Sequence, residues 1–177
     1  MLSRRRSQRG FTLIEIMISL TVLGILLMIA LPNFSEWLQN QQLRAASEAT
    51  LNGLQVARGA AIRRNVLVQF RQSAPPTTAW TVREVATGDL VQSRSHEEGS
   101  PNAVITAIPL GATTVTFAPL GSVVADPARV TQFVIENPAG GSCQPAGPMR
   151  CLRVTISGGG SLRMCDPIVG VTDPRAC

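Results

Sequence analysis

The stretch Arg9-Gly10-Phe11-Thr12-Leu13-Ile14-Glu15 opens a run of 21 residues, Phe11 to Leu31, whose only charged residue is Glu15. About 20 apolar residues in a helix cross a ~30 Å hydrocarbon core. The spacing therefore predicts a transmembrane helix over 11–32. Arg4, Arg5, Arg6 and Arg9 precede it with no acid, which places the amino terminus in the cytoplasm and the rest of the chain across the inner membrane. A cleaved secretory signal would have a shorter apolar core and a small-residue cleavage site. Ala30-Leu31-Pro32-Asn33-Phe34-Ser35 makes a poor one. A carboxylate inside such a span is costly and marks a functional position.

The net charge of +5 is largely a topology signal. The chain has 16 arginines, no lysine and 11 acids, and four of the arginines lie before Gly10. The remaining twelve leave a net of about +1, which does not describe a nucleic-acid binder. Residues 33–177 suffice for one globular domain. Its four cysteines, Cys143, Cys151, Cys165 and Cys177, fall in the last 35 residues. An even number on the outer side of a membrane reads as two disulfides. Three connectivities are open, and the preferred one is sequence-local: Cys143 with Cys151 and Cys165 with Cys177. No Cys-x-x-Cys occurs and His96 is the single histidine, so no metal site is expected. No Ser-His-Asp set, carboxylate pair or phosphate loop stands out, and neither enzyme activity nor a cofactor is expected.

Beyond Pro32, which reads as a kink or a membrane-exit residue, Leu43, Ala46, Thr50, Leu54, Ala57 and Ala61 recur at spacings of three and four. They predict an amphipathic helix over about 33–64. Short β-branched runs follow from about 66 to 177: Val66–Phe70, Trp80 to Val82, Val104–Ile108, Thr113–Phe117 and Val130–Ile135. Leu152, Val154 and Ile156 alternate with polar residues, and Gly158-Gly159-Gly160 turns the chain into Leu162–Cys165 as a last hairpin. Residues 86–101 are polar and read as a mobile loop. The fold class is α+β: a long amino-terminal helix, half transmembrane and half amphipathic, packed on an antiparallel β-sheet domain.

The basic leader, Gly10-Phe11-Thr12-Leu13-Ile14-Glu15 and the apolar helix resemble the amino terminus of type IV pilins and type II secretion pseudopilins. Leu54-Gln55-Val56-Ala57-Arg58-Gly59-Ala60-Ala61-Ile62-Arg63-Arg64-Asn65 and Phe117-Ala118-Pro119-Leu120-Gly121 are similar to segments of the GspH/FimT group. Arg163-Met164-Cys165-Asp166-Pro167 and Asp173-Pro174-Arg175-Ala176-Cys177 look like the Cys-bounded tail of its FimU/FimT-like members. The resemblance implies a pilin α/β roll and a leader, 1–10, removed by a prepilin peptidase between Gly10 and Phe11. The new amine of Phe11 would then be methylated, and Glu15 would direct assembly with other minor pilins and the major pilin, first in the inner membrane and then in the pilus.

The chemistry suits that role. Gly10 lets an extended backbone lie close to a protease cleft. An ammonium on a neighbour's Phe11 would pair with Glu15 in a low dielectric, and a subunit out of register would leave that carboxylate unpaired. The alternative is an interfacial glutamate, or one paired with its own amine. Three functions follow in order: a minor pilin that primes or caps a type IV pilus; a minor pseudopilin of type II secretion; and a DNA-binding minor pilin. Some FimT-like members bind DNA through a Gly-Arg-x-Arg motif. Gly160-Ser161-Leu162-Arg163 lacks its first arginine, so nucleic acid rests on Arg150, Arg153, Arg163 and Arg175 gathering on one surface. Arg58, Arg63 and Arg64 read as a solvated or internally paired face of the helix.

Overall fold

The structure, a computed structural model, describes residues 11–177, and for residues 29–33 the backbone only. The leader, including Gly10, lies outside the described residues. Two compact units divide the chain, the first ending at Ser35 and the second running from Glu36 to Cys177. Helix α1, Leu13–Arg64, runs through both.

Within the second unit α1 buries Leu43, Ala46, Leu54, Ala57, Ala60 and Ala61, a stripe at the helical period. Two hydroxyls in the stripe return their protons to the preceding turn: Ser47 Oγ donates to the Leu43 carbonyl at 2.9 Å and Thr50 Oγ1 to that of Ala46 at 2.8 Å. Most of these side chains are small, so the helix can lie close to a sheet. At Gly53 a Cβ would stand 2.8 Å from the Trp80 ring and 2.9 Å from that of Phe70. The helix ends at Asn65, which takes φ 56°. The Val66 N–H then donates to the Ala61 carbonyl at 3.3 Å, the six-to-one bond of a Schellman cap.

Eight strands follow: β1 Val68–Gln72, β2 Trp80–Glu84, β3 Leu90–Arg94, β4 Val104–Ile108, β5 Thr114–Phe117, β6 Gln132–Glu136, β7 Leu152–Ile156 and β8 Leu162–Cys165. They form two antiparallel four-stranded sheets, ordered β3-β2-β1-β5 and β4-β6-β7-β8. The sheets and the outer helix share one core. Phe70 is its hinge, with ring centroids 5.6 Å from Trp80 and 5.7 Å, edge-on, from Phe133. Buried Gln72 joins the sheets by donating to the Ile105 carbonyl at 2.9 Å and that of Thr77 at 3.0 Å.

The polar segment 86–101, expected as a loop, contains β3. Gly88 at φ +76° turns the chain back from β2, and Trp80↔Arg94 through Arg83↔Leu90 set the register. As the edge of its sheet, β3 buries neither face, so it lacks the alternation that reveals a strand.

Candidate functional site

At the start of α1, Thr12 and Glu15 cap each other. The Glu15 N–H donates to Thr12 Oγ1 at 3.3 Å, and the Thr12 N–H donates to Glu15 Oε2 at 3.5 Å. This Thr-x-x-Glu arrangement is a capping box. Two otherwise orphaned donors are satisfied, and a negative charge sits at the positive end of the helix dipole. The carboxylate is thereby held beside the main-chain nitrogen that follows Phe11. Thr12 was legible in the same four residues but carries no role in the motif reading above.

Around this acid the exposed side chains described in the first unit are mostly apolar. Phe11 is 81% exposed and Leu13 77%, and bulky residues on every side of the helix down to Met28 are exposed. A helix apolar all round finds its partners in lipid or in other proteins. Among the described residues no helix is long and apolar enough to cross a membrane. The span expected over 11–32 is described with side chains only as far as Met28, short of the ~20 residues that a bilayer core requires.

In the second unit the disulfides join Cys143 to Cys151 and Cys165 to Cys177. They organise the tail. The Asp166 N–H donates to the Arg175 carbonyl at 2.8 Å, and buried Asp166 pairs with Arg150 at 2.7 Å. Asp173 pairs with Arg175, also at 2.7 Å. The hydrogen bond from Arg175 holds the Asp173 carboxyl down at about 2, against 3.8 ordinarily. Glu136, Cys143 and Cys151 form the single metal-like cluster among the described residues. Both of its sulfurs are consumed by the disulfide.

Acids engage two of the four tail arginines. Arg150 and Arg175 line a cavity of about 390 Å³ with Glu36, Arg44 and Asp166, and each is engaged by an acid. Arg153 and Arg163 occupy the opposite face of β7 and β8 from core residues Val154 and Ile156, by strand alternation. Arg163 donates to the Pro174 carbonyl.

Arg58 and Arg64 are held internally. Arg64 approaches Glu84 at 3.6 Å. Arg58 Nε donates to the Gly121 carbonyl at 3.1 Å. Gly121, at φ +79°, ends the turn after β5, and Gly160, at φ +81°, lies in the β7–β8 turn. A Cβ on Gly160 would stand 1.9 Å from the Gly121 oxygen. The segments around Arg58, Gly121 and Gly160 thus meet at one point that locks the helix to both sheets.

Residues 46–160 match the family model described as type II transport protein GspH. The chain belongs to the GspH family. Residues 5–31 match the prokaryotic N-terminal methylation motif, so the chain lies in the type IV pilin and type II pseudopilin superfamily. No curated protein matches this sequence. Two crystal forms of the type IV minor pilin FimU of Pseudomonas aeruginosa (strain PAO1) share its fold, with TM-scores of 0.57 and 0.52 at 16% identity. Each likeness covers 76% of this chain, and 94% and 98% of theirs. At that identity the likeness is one of fold. The family is described as a transport protein and these neighbours as type IV minor pilins.

Proposed function

We propose that this chain is a minor pilin of a type IV pilus. Residues 1–10 are its cytoplasmic leader, 11–32 its membrane and assembly helix, and 33–177 its periplasmic domain. A prepilin peptidase cuts between Gly10 and Phe11 and the Phe11 amine is methylated. The subunit then leaves the inner membrane to prime or cap the filament with other minor pilins and the major pilin. The observation that carries this reading is the lone acid of the first unit, Glu15, turned toward the start of an exposed apolar helix. Before assembly its partner is its own first turn. In the filament a neighbouring Phe11 ammonium offers a full charge in a low dielectric, a stronger attraction than a neutral N–H.

Glu15→Ala keeps its processing and loses its place in the filament. Intact-mass measurement of the membrane form then gives a chain beginning at Phe11, while sheared pili lack the subunit. Mutant protein in sheared pili at wild-type level refutes the assembly role, and a chain that retains residues 1–10 refutes the cleavage site.

The family's own description favours a second reading, a minor pseudopilin of type II secretion. Deleting the gene decides between them: loss of pili supports the first, and loss of exported enzymes with pili intact supports the second.

A further inference from the structure

The half-buried carboxylate of Glu136 has no ion pair among the described residues. It ends strand β6, where the register sets Glu136 against Val104 of β4. On the other side Ile135 pairs with Leu152, so Cys151, the residue before β7, lies beside Glu136. The one side-chain contact described for the carboxylate is Cys143 Sγ, 3.6 Å from Oε1. In the disulfide that sulfur has no proton to donate. The carboxylate thus faces two sulfurs, and the three ligand atoms all lie within 4.8 Å of one another. Polar groups drawn into a protein ordinarily find a donor or a cation, and the disulfide supplies neither.

The loop that carries the two cysteines owes its shape to more than sulfur. The Gln144 N–H donates to the Met149 carbonyl at 2.8 Å, and the Met149 N–H to that of Ser142 at 3.1 Å. The Ala146 and Gly147 N–H groups both donate to the Cys143 carbonyl, at 3.1 and 3.2 Å. Met149 is fully buried, and the Arg150 N–H donates to Asn40 Oδ1 of α1 at 2.9 Å. These bonds persist when the S–S bond is open, so the two thiols stay close together beside Glu136. Two thiolates and a carboxylate are the donor set of a tetrahedral zinc site with one position left for water. Mg²⁺ and Ca²⁺, which favour oxygen ligands throughout, are excluded by the sulfurs. The pair Cys165–Cys177 belongs to no such cluster among the described residues. The acid next to it, Asp166, is already engaged by Arg150 and by the Ile168 N–H.

We propose that Glu136, Cys143 and Cys151 form a Zn²⁺ site in the chain before its disulfides close. Every cysteine is synthesised as a thiol. Binding releases the two thiol protons to solvent. Each sulfur then shares an electron pair with the metal, which undergoes no redox change itself. Closing the bond requires the ion to leave. The two thiolates then give up two electrons to a disulfide oxidant, which takes two protons from solvent and becomes two thiols. The metal therefore delays this bond and not the one between Cys165 and Cys177, and so sets the order in which the two close.

The test uses the full processed chain in neutral detergent, reduced with a phosphine and titrated with Zn²⁺ against a chromophoric chelator. The reduced parent binds one ion, and Co²⁺ in its place gives a thiolate charge-transfer band. Loss of a supporting group around a metal costs about 10–100-fold in affinity, so loss of the ligand itself in Glu136→Gln weakens binding at least about tenfold. Cys165→Ser with Cys177→Ser binds as the parent does. Oxidised glutathione is then added, free thiols are trapped with a maleimide, and fragments are weighed. Equimolar Zn²⁺ slows closure of Cys143–Cys151 in the parent and leaves Cys165–Cys177 unchanged. No binding by the reduced parent, unaltered binding by Glu136→Gln, dependence on Cys165 and Cys177, or equal slowing of both bonds overturns the proposal. So does a reduced chain whose circular dichroism shows it unfolded, because the site then has no scaffold.

Discussion

Gly160→Ala tests the point where the helix and both sheets meet. At φ +81° an L-residue is strained, by about 1–2 kcal/mol. The added methyl would lie 1.9 Å from the Gly121 oxygen and 3.3 Å from Arg58 Nε. The first of these is a rigid backbone atom, so the turn must open, at about 1–3 kcal/mol for overpacking. Opening it also breaks the bond from Arg58 to the same oxygen, worth about 1 kcal/mol or somewhat more because the donor is charged. The sum is about 3–6 kcal/mol, a large share of a domain's 5–15. For a domain of this size it corresponds to a fall in Tm of roughly 10–20 °C. The assay is thermal unfolding of residues 36–177 followed by circular dichroism, with both disulfides intact. Gly159→Ala is the matched control, because nothing lies within 4 Å of its Cβ and its φ is not positive. If Gly160→Ala melts with the Gly159→Ala control, the three-way contact does not hold the domain together as argued.

Gly53→Ala gains about 1 kcal/mol of helix propensity but drives a methyl into the rings of Trp80 and Phe70. The rings dominate, with a net loss of about 1–2 kcal/mol in urea unfolding; a stabilised variant refutes the close approach. Asp173 titrates in NMR with a midpoint of about 2, returning toward 3.8 in Arg175→Gln. Its folded value is depressed, so its contribution to stability is present above the unfolded pKa and is lost as pH falls toward about 2. An ordinary midpoint in the parent removes the pairing with Arg175.

The outer helix was legible because its buried stripe repeats at the helical period: Leu43, Ala46, Thr50, Leu54, Ala57 and Ala61 are all buried. The last hairpin was legible through alternation in Leu152–Ile156 and three glycines after it. Strand β3 was not, because an edge strand exposed on both faces leaves no periodic trace. The division into two sheets was also hidden, since register depends on partners distant in the chain. The Arg58 contact spans 63 residues, and no local pattern signals a guanidinium that seeks a turn carbonyl. That acids hold Arg150 and Arg175 was likewise hidden, since Asp166 lies 16 positions from Arg150. Arg71 and Arg83 lie twelve positions apart, and antiparallel pairing makes them neighbours.

The bare helix at the amino end dictates how this polypeptide can travel. Thirteen large apolar side chains between Phe11 and Met28 stand uncovered, each worth about 1.5–3 kcal/mol when removed from water. A free swim through the aqueous compartment would cost tens of kcal/mol, more than the outer domain's whole margin of folding. This segment must therefore stay covered, by lipid or by apolar surfaces of other proteins, at every stage of the molecule's life.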